Sequence, residues 1–572
     1  VLLKRLAEYS ERLGLRPTLY ADAAVRYIVE LDSSGRLLRP EPVDISDPTT
    51  LRTKRGQRRL MPQIQRTSGV KPILFADKAE YTLGMVFDSP KPERVAERHR
   101  AYMELLGRCT DRTELPEVRA VRRFLEDTPL SRLKLGDDFD PGATMTFRVD
   151  GVFPSDLAAV KRFWADEHDP ANSDGGRAQP MQCIVCGETR PVLPRLQGRV
   201  KGIPGGQTSG TSIISANAEA FESYGLQASL IAPTCAQCGE KFTRAANELL
   251  GNEANHLVVG GSVFIFWTRE PSAFSFRDFL TNPHPEQVRS LIESVRSGRG
   301  AADFEGSAFY AAALSASGGR VVVRDWIDST IGQVRANLGR WFERQSIVGP
   351  IGDPPRPFGI AALAGATVRE LRDLGPLTSR ALIRSALTGA QLPFDLLYEG
   401  VRRNRAEQRM THARAALMKL VFRTRHGAAM EDRMVILNSE EQNPAYLCGR
   451  LLAVLEQAQR LAVNPKSTIV ARFFGTASSA PLSVFPRLLR GAQAHLAKLE
   501  RDRRGAYLAL QRRMEEVMAG IGNFPATLTL EEQGLFSLGY YHQRAHDRAR
   551  ARDARAAREA KAEGEADQEG EN

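Results

Sequence analysis

Cysteine is scarce: six residues in a chain of 572, too few to staple a secreted disulfide scaffold. Long apolar runs are missing too. The most apolar stretch, residues 257–267, is far too short to span a bilayer and is interrupted at Gly260 and Gly261. At the N-terminal end Leu2, Leu6, Tyr9 and Leu13 are broken up by Lys4, Arg5, Glu8 and Glu11, the pattern of an amphipathic helix and not of an export signal. These absences predict a cytoplasmic protein with no membrane segment.

Catalytic signatures are also lacking. Neither G-x-S-x-G nor H-E-x-x-H occurs, and no Lys followed by Ser or Thr closes a glycine run as in a nucleotide-binding loop. His99, His256 and His542 lie in unrelated segments, so no triad or nuclease centre is suggested locally. Binding is expected here, and not enzymatic activity.

The chain has positive charge in excess. Lys and Arg number 79 against 68 Asp and Glu, a formal net charge of +11, which favours a polyanionic partner, either nucleic acid or an acidic membrane surface. With 42% hydrophobic and 26% charged residues the chain is globular, and its length calls for two or more domains.

Four of the six cysteines form two C-x-x-C pairs, Cys183 with Cys186 and Cys235 with Cys238, each followed by glycine. Four thiolates so spaced suit a closed, tetrahedral, structural Zn2+ site, with the glycines relieving the turns. Unbonded thiols or a redox pair are the alternatives. A deaminase-type catalytic zinc would need an H-x-E upstream, which is absent. Cys109 and Cys448 read as ordinary buried thiols.

Nucleic-acid contacts are expected from three places. Residues 52–71 carry Arg52, Lys54, Arg55, Arg58, Arg59, Arg66 and Lys71 with no acidic residue; they read as a basic loop, with Thr67 and Ser68 inside it, able to grip phosphate or guanine. Between the cysteine pairs, Arg199 and Lys201 precede a glycine-rich loop that holds Gln207 and Ser209, with Asn217 beyond it. That loop reads as a phosphate cradle or as a plain flexible loop. Finally, Phe485-Pro486 opens a helix with Arg487, Arg490, Lys498 and Arg501 off its apolar face, either a backbone-tracking stripe or an ordinary solvated face.

Residues 1–181 read as a mixed α/β domain. In it, residues 23–31 and 36–38 flank a Ser33-Ser34-Gly35 turn, helices are expected at 95–106 and 117–125, and a strand at 144–149. Residues 182–240 are the cysteine-bounded insertion. Residues 241–348 continue the mixed domain, with strands at 256–268 and 320–323 and an amphipathic helix over 325–344. Helical periodicity then dominates residues 349–545. Residues 546–572 alternate alanine with charges and read as a disordered charged tail. The fold class is therefore α+β: a mixed α/β N-terminal region with a zinc-knuckle insertion, followed by an all-helical C-terminal bundle domain.

A series of segments, in order, carries a family resemblance. They are Leu19-Tyr20, Arg66-Thr67-Ser68-Gly69-Val70-Lys71-Pro72, Tyr81-Thr82-Leu83-Gly84, Gly205-Gly206-Gln207-Thr208-Ser209-Gly210, Ser215-Ala216-Asn217 and Ala220-Phe221-Glu222-Ser223-Tyr224-Gly225. Val323-Arg324-Asp325-Trp326, Asn443-Pro444-Ala445-Tyr446, Gly449-Arg450-Leu451, Phe485-Pro486-Arg487-Leu488-Leu489 and Phe536-Ser537-Leu538-Gly539-Tyr540-Tyr541-His542-Gln543 complete the series. Together they resemble the large subunit of the type I-C CRISPR Cascade surveillance complex. The resemblance implies an RNA-guided role in antiviral defence, in which other Cascade subunits hold the guide RNA. This subunit would recognise the PAM in double-stranded DNA, assist R-loop formation, hold the displaced strand and support recruitment of a separate helicase-nuclease. Gln207 and Asn217 would then be candidate base readers. A small subunit made from an internal start is also implied, and Met430 and Met434 precede Asn443 suitably. Zinc rests on the cysteine spacing and not on the resemblance. The competing readings are a stand-alone zinc-containing nucleic-acid-binding protein and a nuclease with a dispersed active site.

Overall fold

The computed structural model describes residues 1–570 apart from 15, 16, 18, 47–55, 65, 67, 68, 88–90, 128–131, 169–178, 193, 197, 217, 298–305 and 427–433, with the backbone alone at 558 and 560–570. Arg52, Lys54, Arg55, Thr67, Ser68, Asn217 and Met430 therefore lie outside the described residues. The chain forms two compact units: Val1–Gly202, Gly206–Glu248 and Gly318–Val321 in the first, and Ile203–Gly205, Leu249–Ser317 and Val322–Asn572 in the second.

The first unit is built on strand β1 (Tyr20–Leu31). On one edge β1 pairs antiparallel with β2 (Val43–Asp44) and β3 (Gln57–Pro62), and on the other parallel with β4 (Thr144–Val149). Five consecutive residues, Val25 to Val29, are buried, so this part of β1 is covered on both faces. Helices Pro92–Thr113 and Pro116–Asp127 contribute Tyr102, Leu106, Val121 and Phe124 to the core around Val25, Val29 and Phe147. A two-stranded ribbon, β5 (Gln179–Gln182) with β6 (Thr189–Val192), follows.

One expectation fails here. The described middle of the basic run, expected as a loop, is strand β3, with Arg58 and Arg59 opposite Ala24 and Ala23 of β1. The run has no strand pattern of its own; the free edge of β1 and the burial of Met61 supply it.

A second sheet has the order β10-β9-β8-β7, formed by β7 (His256–Val259), β8 (Ser262–Thr268), β9 (Ala308–Ser317) and β10 (Arg320–Thr330). Trp267 on β8, Tyr310 on β9 and Trp326 on β10 form an aromatic ladder with centroids 5.5 and 5.8 Å apart. The helix expected over 325–344 is therefore corrected. The chain stays extended to Thr330, whose hydroxyl accepts from the Gln333 N–H at 3.2 Å, and the helix is Ile331–Gln345. Trp326 and Ile327 fitted a helical spacing, but β-branched neighbours and the aromatic ladder hold them in a strand.

The C-terminal part is helical, as the sequence implied, around helix Pro444–Val463. Asn443 caps it, its side chain accepting from the N–H groups of Ala445 and Tyr446. Helix Leu530–Gly570 lies against it through paired glycines: a Cβ on Gly449 would stand 2.0 Å from the Phe536 carbonyl oxygen, and one on Gly539 2.1 Å from that of Tyr446. The two backbones meet where no side chain fits. Helix Leu530–Gly570 also runs on through residues 546–570, which were expected to be unordered. Alanine, arginine and glutamate are strong helix formers even where little is buried, and Asp547 is buried and paired with Arg513 at 2.6 Å.

Candidate metal centre and nucleic-acid interface

The two C-x-x-C segments come together although more than forty residues separate them. Cys183 leaves β5 into a tight turn in which the Cys183 N–H donates to the Glu188 carbonyl at 2.9 Å and the Gly187 N–H to the Cys183 carbonyl at 2.8 Å. Gly187 takes φ +79°, as a turn glycine should. The second pair is built differently. Cys235 bridges to Val192, and Cys238 sits in the first turn of helix Ala236–Gly251. Gly239 is thus helical, and its bare α-carbon faces Leu196 instead of relieving a turn. The Ile184 N–H, donating to the Pro233 carbonyl at 2.9 Å, ties the segments together.

All four sulfurs lie within 4.8 Å of one another, with Cys183, Cys235 and Cys238 buried and Cys186 exposed. A tetrahedral ion with ~2.3 Å bonds would hold them roughly 3.8 Å apart, so the residues fit zinc with little movement. Burial pushes the Cys183 thiol up, but N–H groups of Cys186, Cys235 and Val185 outweigh it and bring the thiol down to about 7. Burial dominates at Cys235 and Cys238, whose thiols are raised. A divalent cation would stabilise all four thiolates together. Cys109 and Cys448 are buried elsewhere, each raised to about 12 by burial.

The basic run divides by environment. Arg58 is exposed on β3. Arg59 is half-buried, its guanidinium 3.7 Å from the centre of the Phe153 ring and paired with Asp156 at 3.3 Å. Arg66 donates to the Lys71 carbonyl at 2.7 Å, pairs with the buried Asp77 and lies 4.3 Å from the Tyr81 ring centre. Lys71 is exposed. Two of the arginines expected to grip DNA, the half-buried Arg59 and the exposed Arg66, are thus already paired with carboxylates of the fold.

The glycine-rich loop is closed at its base, where Val200 and Thr211 exchange two backbone hydrogen bonds of 2.8 Å. Asn247 fixes the near side, its amide donating to the Arg199 carbonyl and accepting from the Lys201 N–H. Lys201, Gln207 and Ser209 are exposed. The Gln207 amide lies about 3.5 Å from where a Cβ on Gly319 would stand, and next to that glycine Arg320 covers the Phe221 ring at 4.0 Å. Arg320 was missed in the sequence because nothing local marks a lone arginine in a hairpin far along the chain.

Helix Pro481–Asp502 begins four residues before the expected start at Phe485, so Pro486 lies inside it. Arg487, Arg490, Lys498 and Arg501 are all exposed. At 3.6 residues per turn they fall within an arc of about 80° along roughly 21 Å of helix, so the structure brings this set together as one stripe. Met434, one of the two candidate internal starts, is buried.

Among the described residues no helix is long and apolar enough to cross a membrane. None of the curated proteins matches the chain. The family model for CRISPR-associated protein (Cas_Csd1) does, over residues 3–547, a span that takes in the cysteine cluster, the glycine-rich loop and the basic stripe alike. The chain therefore belongs to the CRISPR-associated protein (Cas_Csd1) family.

Proposed function

We propose that this protein is the large, non-catalytic subunit of a type I-C CRISPR RNA-guided DNA surveillance complex, recognising the PAM duplex, assisting R-loop formation and supporting recruitment of a helicase-nuclease. The observation that carries the reading is the family match across residues 3–547. In such a complex, guide pairing reads the target while the protein reads a short duplex motif and backbone shape. The exposed Gln207 and Ser209, together with Arg58, Lys71 and Lys201, are the groups we assign to the duplex. Arg59 and Arg66 would position that surface from within. The four cysteines hold a structural zinc ion that ties β5 and β6 to helix Ala236–Gly251.

Co-expression with a CRISPR array and the neighbouring subunits tests the assignment. The chain is expected to purify with guide RNA and to bind PAM-containing duplex only in that assembly. Stable, guide-independent duplex binding by the isolated chain would favour a stand-alone nucleic-acid-binding protein, and metal-dependent cleavage by it a nuclease. For the metal, elemental analysis should find one zinc per chain. Cys183→Ser or chelation should lower the melting temperature without abolishing a chemical step. Fully folded, metal-free protein would remove the zinc.

A further inference from the structure

Helix Leu530–Gly570 changes sign along its length. Residues 548–558 hold five arginines and one aspartate, whereas residues 559–571 hold six acids and one lysine. The last five acids, Glu563, Glu565, Asp567, Glu569 and Glu571, fall on every second residue. In an α-helix a two-residue step turns by about 200°, so acids so spaced scatter around the axis. In an extended chain every second side chain points the same way, about 6.6 Å from the last. The spacing is that of a strand with one acidic face, and it lies outside the family match, which ends at residue 547.

Cations without partners stand near the root of this segment, around two adjoining cavities in the helical part of the second unit. The first, of about 690 Å³, is lined from residues 407–412, residues 466–468 and helix Leu530–Gly570. The second, of about 820 Å³, is lined from helices Phe394–Glu407 and Val470–Ala477. Gln408 lines both, its side chain accepting from the Gly475 N–H at 3.0 Å. Arg409, Lys466 and Arg548 line the first and Arg405 and Arg472 the second, all five exposed. Only two carboxylates share the lining, and both are taken. Glu407 is held by Arg403 and Arg414, and Glu456 by Arg460, Arg544 and the Tyr540 hydroxyl at 2.8 Å. Among the described residues no carboxylate stands within ion-pair distance of the five exposed cations.

We propose that residues 563–571 fold back as an extended acidic strand across these two cavities of the same chain, setting five carboxylates against five unpartnered cations. The helix as it stands is the released form, and little holds its end. Among the described residues its contacts to other elements stop at Arg552, which pairs with Asp353 at 3.2 Å, and residues 553–557 are all exposed. An unsupported helical end of about 15 residues is marginal in water, and Gly564 within it is a poor helix former. Reach is ample. The ~14 residues from Ala557 to Glu571 span about 46 Å when extended, whereas Ala557 lies about 14 Å along the helix from Arg548. Attachment keeps the segment at a roughly millimolar effective concentration, which favours its own chain over a second copy. Any other polyanion has to displace it from these cations.

The test uses the full chain with Glu563, Glu565, Asp567, Glu569 and Glu571 all changed to glutamine or asparagine, which should leave the cavities open, and a labelled peptide of residues 559–572. At ~50 mM salt the peptide should bind this variant with a Kd of roughly 0.1 mM. The unaltered chain should bind it about 10-fold more weakly, because its own segment, at ~1 mM, already competes there. Arg409→Gln in the first cavity and Arg405→Gln and Arg472→Gln in the second should each weaken peptide binding about 3-fold. These are three separate exposed sites, so one misfolded variant does not decide the matter. At ~0.5 M salt binding should vanish. A chain truncated after Ala557, beyond the last packed residue, should behave as the neutralised variant. No peptide binding at ~1 mM, equal binding by the unaltered chain, or indifference to all three cavity substitutions in folded protein would overturn the proposal. So would sedimentation showing that the segment joins two copies, since the occupant would then come from a second chain.

Discussion

In the first unit, Arg26, Arg59 and Arg66 each meet a carboxylate and an aromatic face: Asp44 and Tyr27, Asp156 and Phe153, Asp77 and Tyr81. Around the helical cavities of the second unit, Arg405, Arg409 and Arg472 meet no carboxylate among the described residues and stay exposed. The acid-free run of sequence thus contains arginines that are paired within the fold, while Arg405, Arg409 and Arg472 present their charge to solvent. Availability of charge is decided by what folds beside it, not by what precedes it in the chain.

Five substitutions would break or sharpen this contrast. The largest effect is expected at Gly449, whose Cβ position is taken by a backbone oxygen. Gly449→Val should separate helices Pro444–Val463 and Leu530–Gly570 and cost more than about 4 kcal/mol, read as loss of cooperative thermal unfolding. With it the floor of the first cavity, which includes Tyr540 and Arg544, should be lost.

Arg66→Ala comes next, because it leaves Asp77 with backbone donors only. A loss of about 3 kcal/mol is expected in denaturant titration, and the double variant with Asp77→Asn should recover much of it. Arg409→Ala, by contrast, should change stability by less than ~0.5 kcal/mol. Equal costs at the two arginines would dissolve the distinction between internal and presented charge.

The smallest effect is in pH dependence, and its sign differs between the units. Burial lifts Asp77 above the ordinary aspartate value despite Arg66 and the N–H groups of Ile73 and Lys78. Its contribution is present below the ordinary value and is lost as pH rises through the raised one. Glu456 is the reverse: burial opposes its ionisation, but Arg544, Tyr540 and Arg460 outweigh burial and hold it below the ordinary glutamate value. That contribution is present above the ordinary value and is lost as pH falls through the depressed one. Melting temperatures between about pH 3 and pH 7 should show a shallower acid limb for Glu456→Gln and no such change for Asp77→Asn.

Much of the molecule was legible in order along the chain. The paired cysteine spacings foretold one cluster, and the period of the apolar residues foretold a helical C-terminal half. Arg487, Arg490, Lys498 and Arg501 were legible as a stripe because a helix converts spacing directly into direction. What failed was local pattern set against a partner: residues 325–330 have helix-like spacing but join a sheet, and Arg58 and Arg59 look like loop but pair with β1.

The sequence by itself determined the α+β class, the four-cysteine site and the family resemblance, because each depends on residue types at short, fixed spacings. Only the tertiary structure decided which arginines are spent on Asp77 and Asp156, that Gly449 and Gly539 exist to let two backbones touch, and that cations from residues 402–409, 460–472 and 544–548 face shared cavities. The physical reason is that ion pairing, burial and cavity formation depend on distances between residues far apart in the chain, which only packing sets.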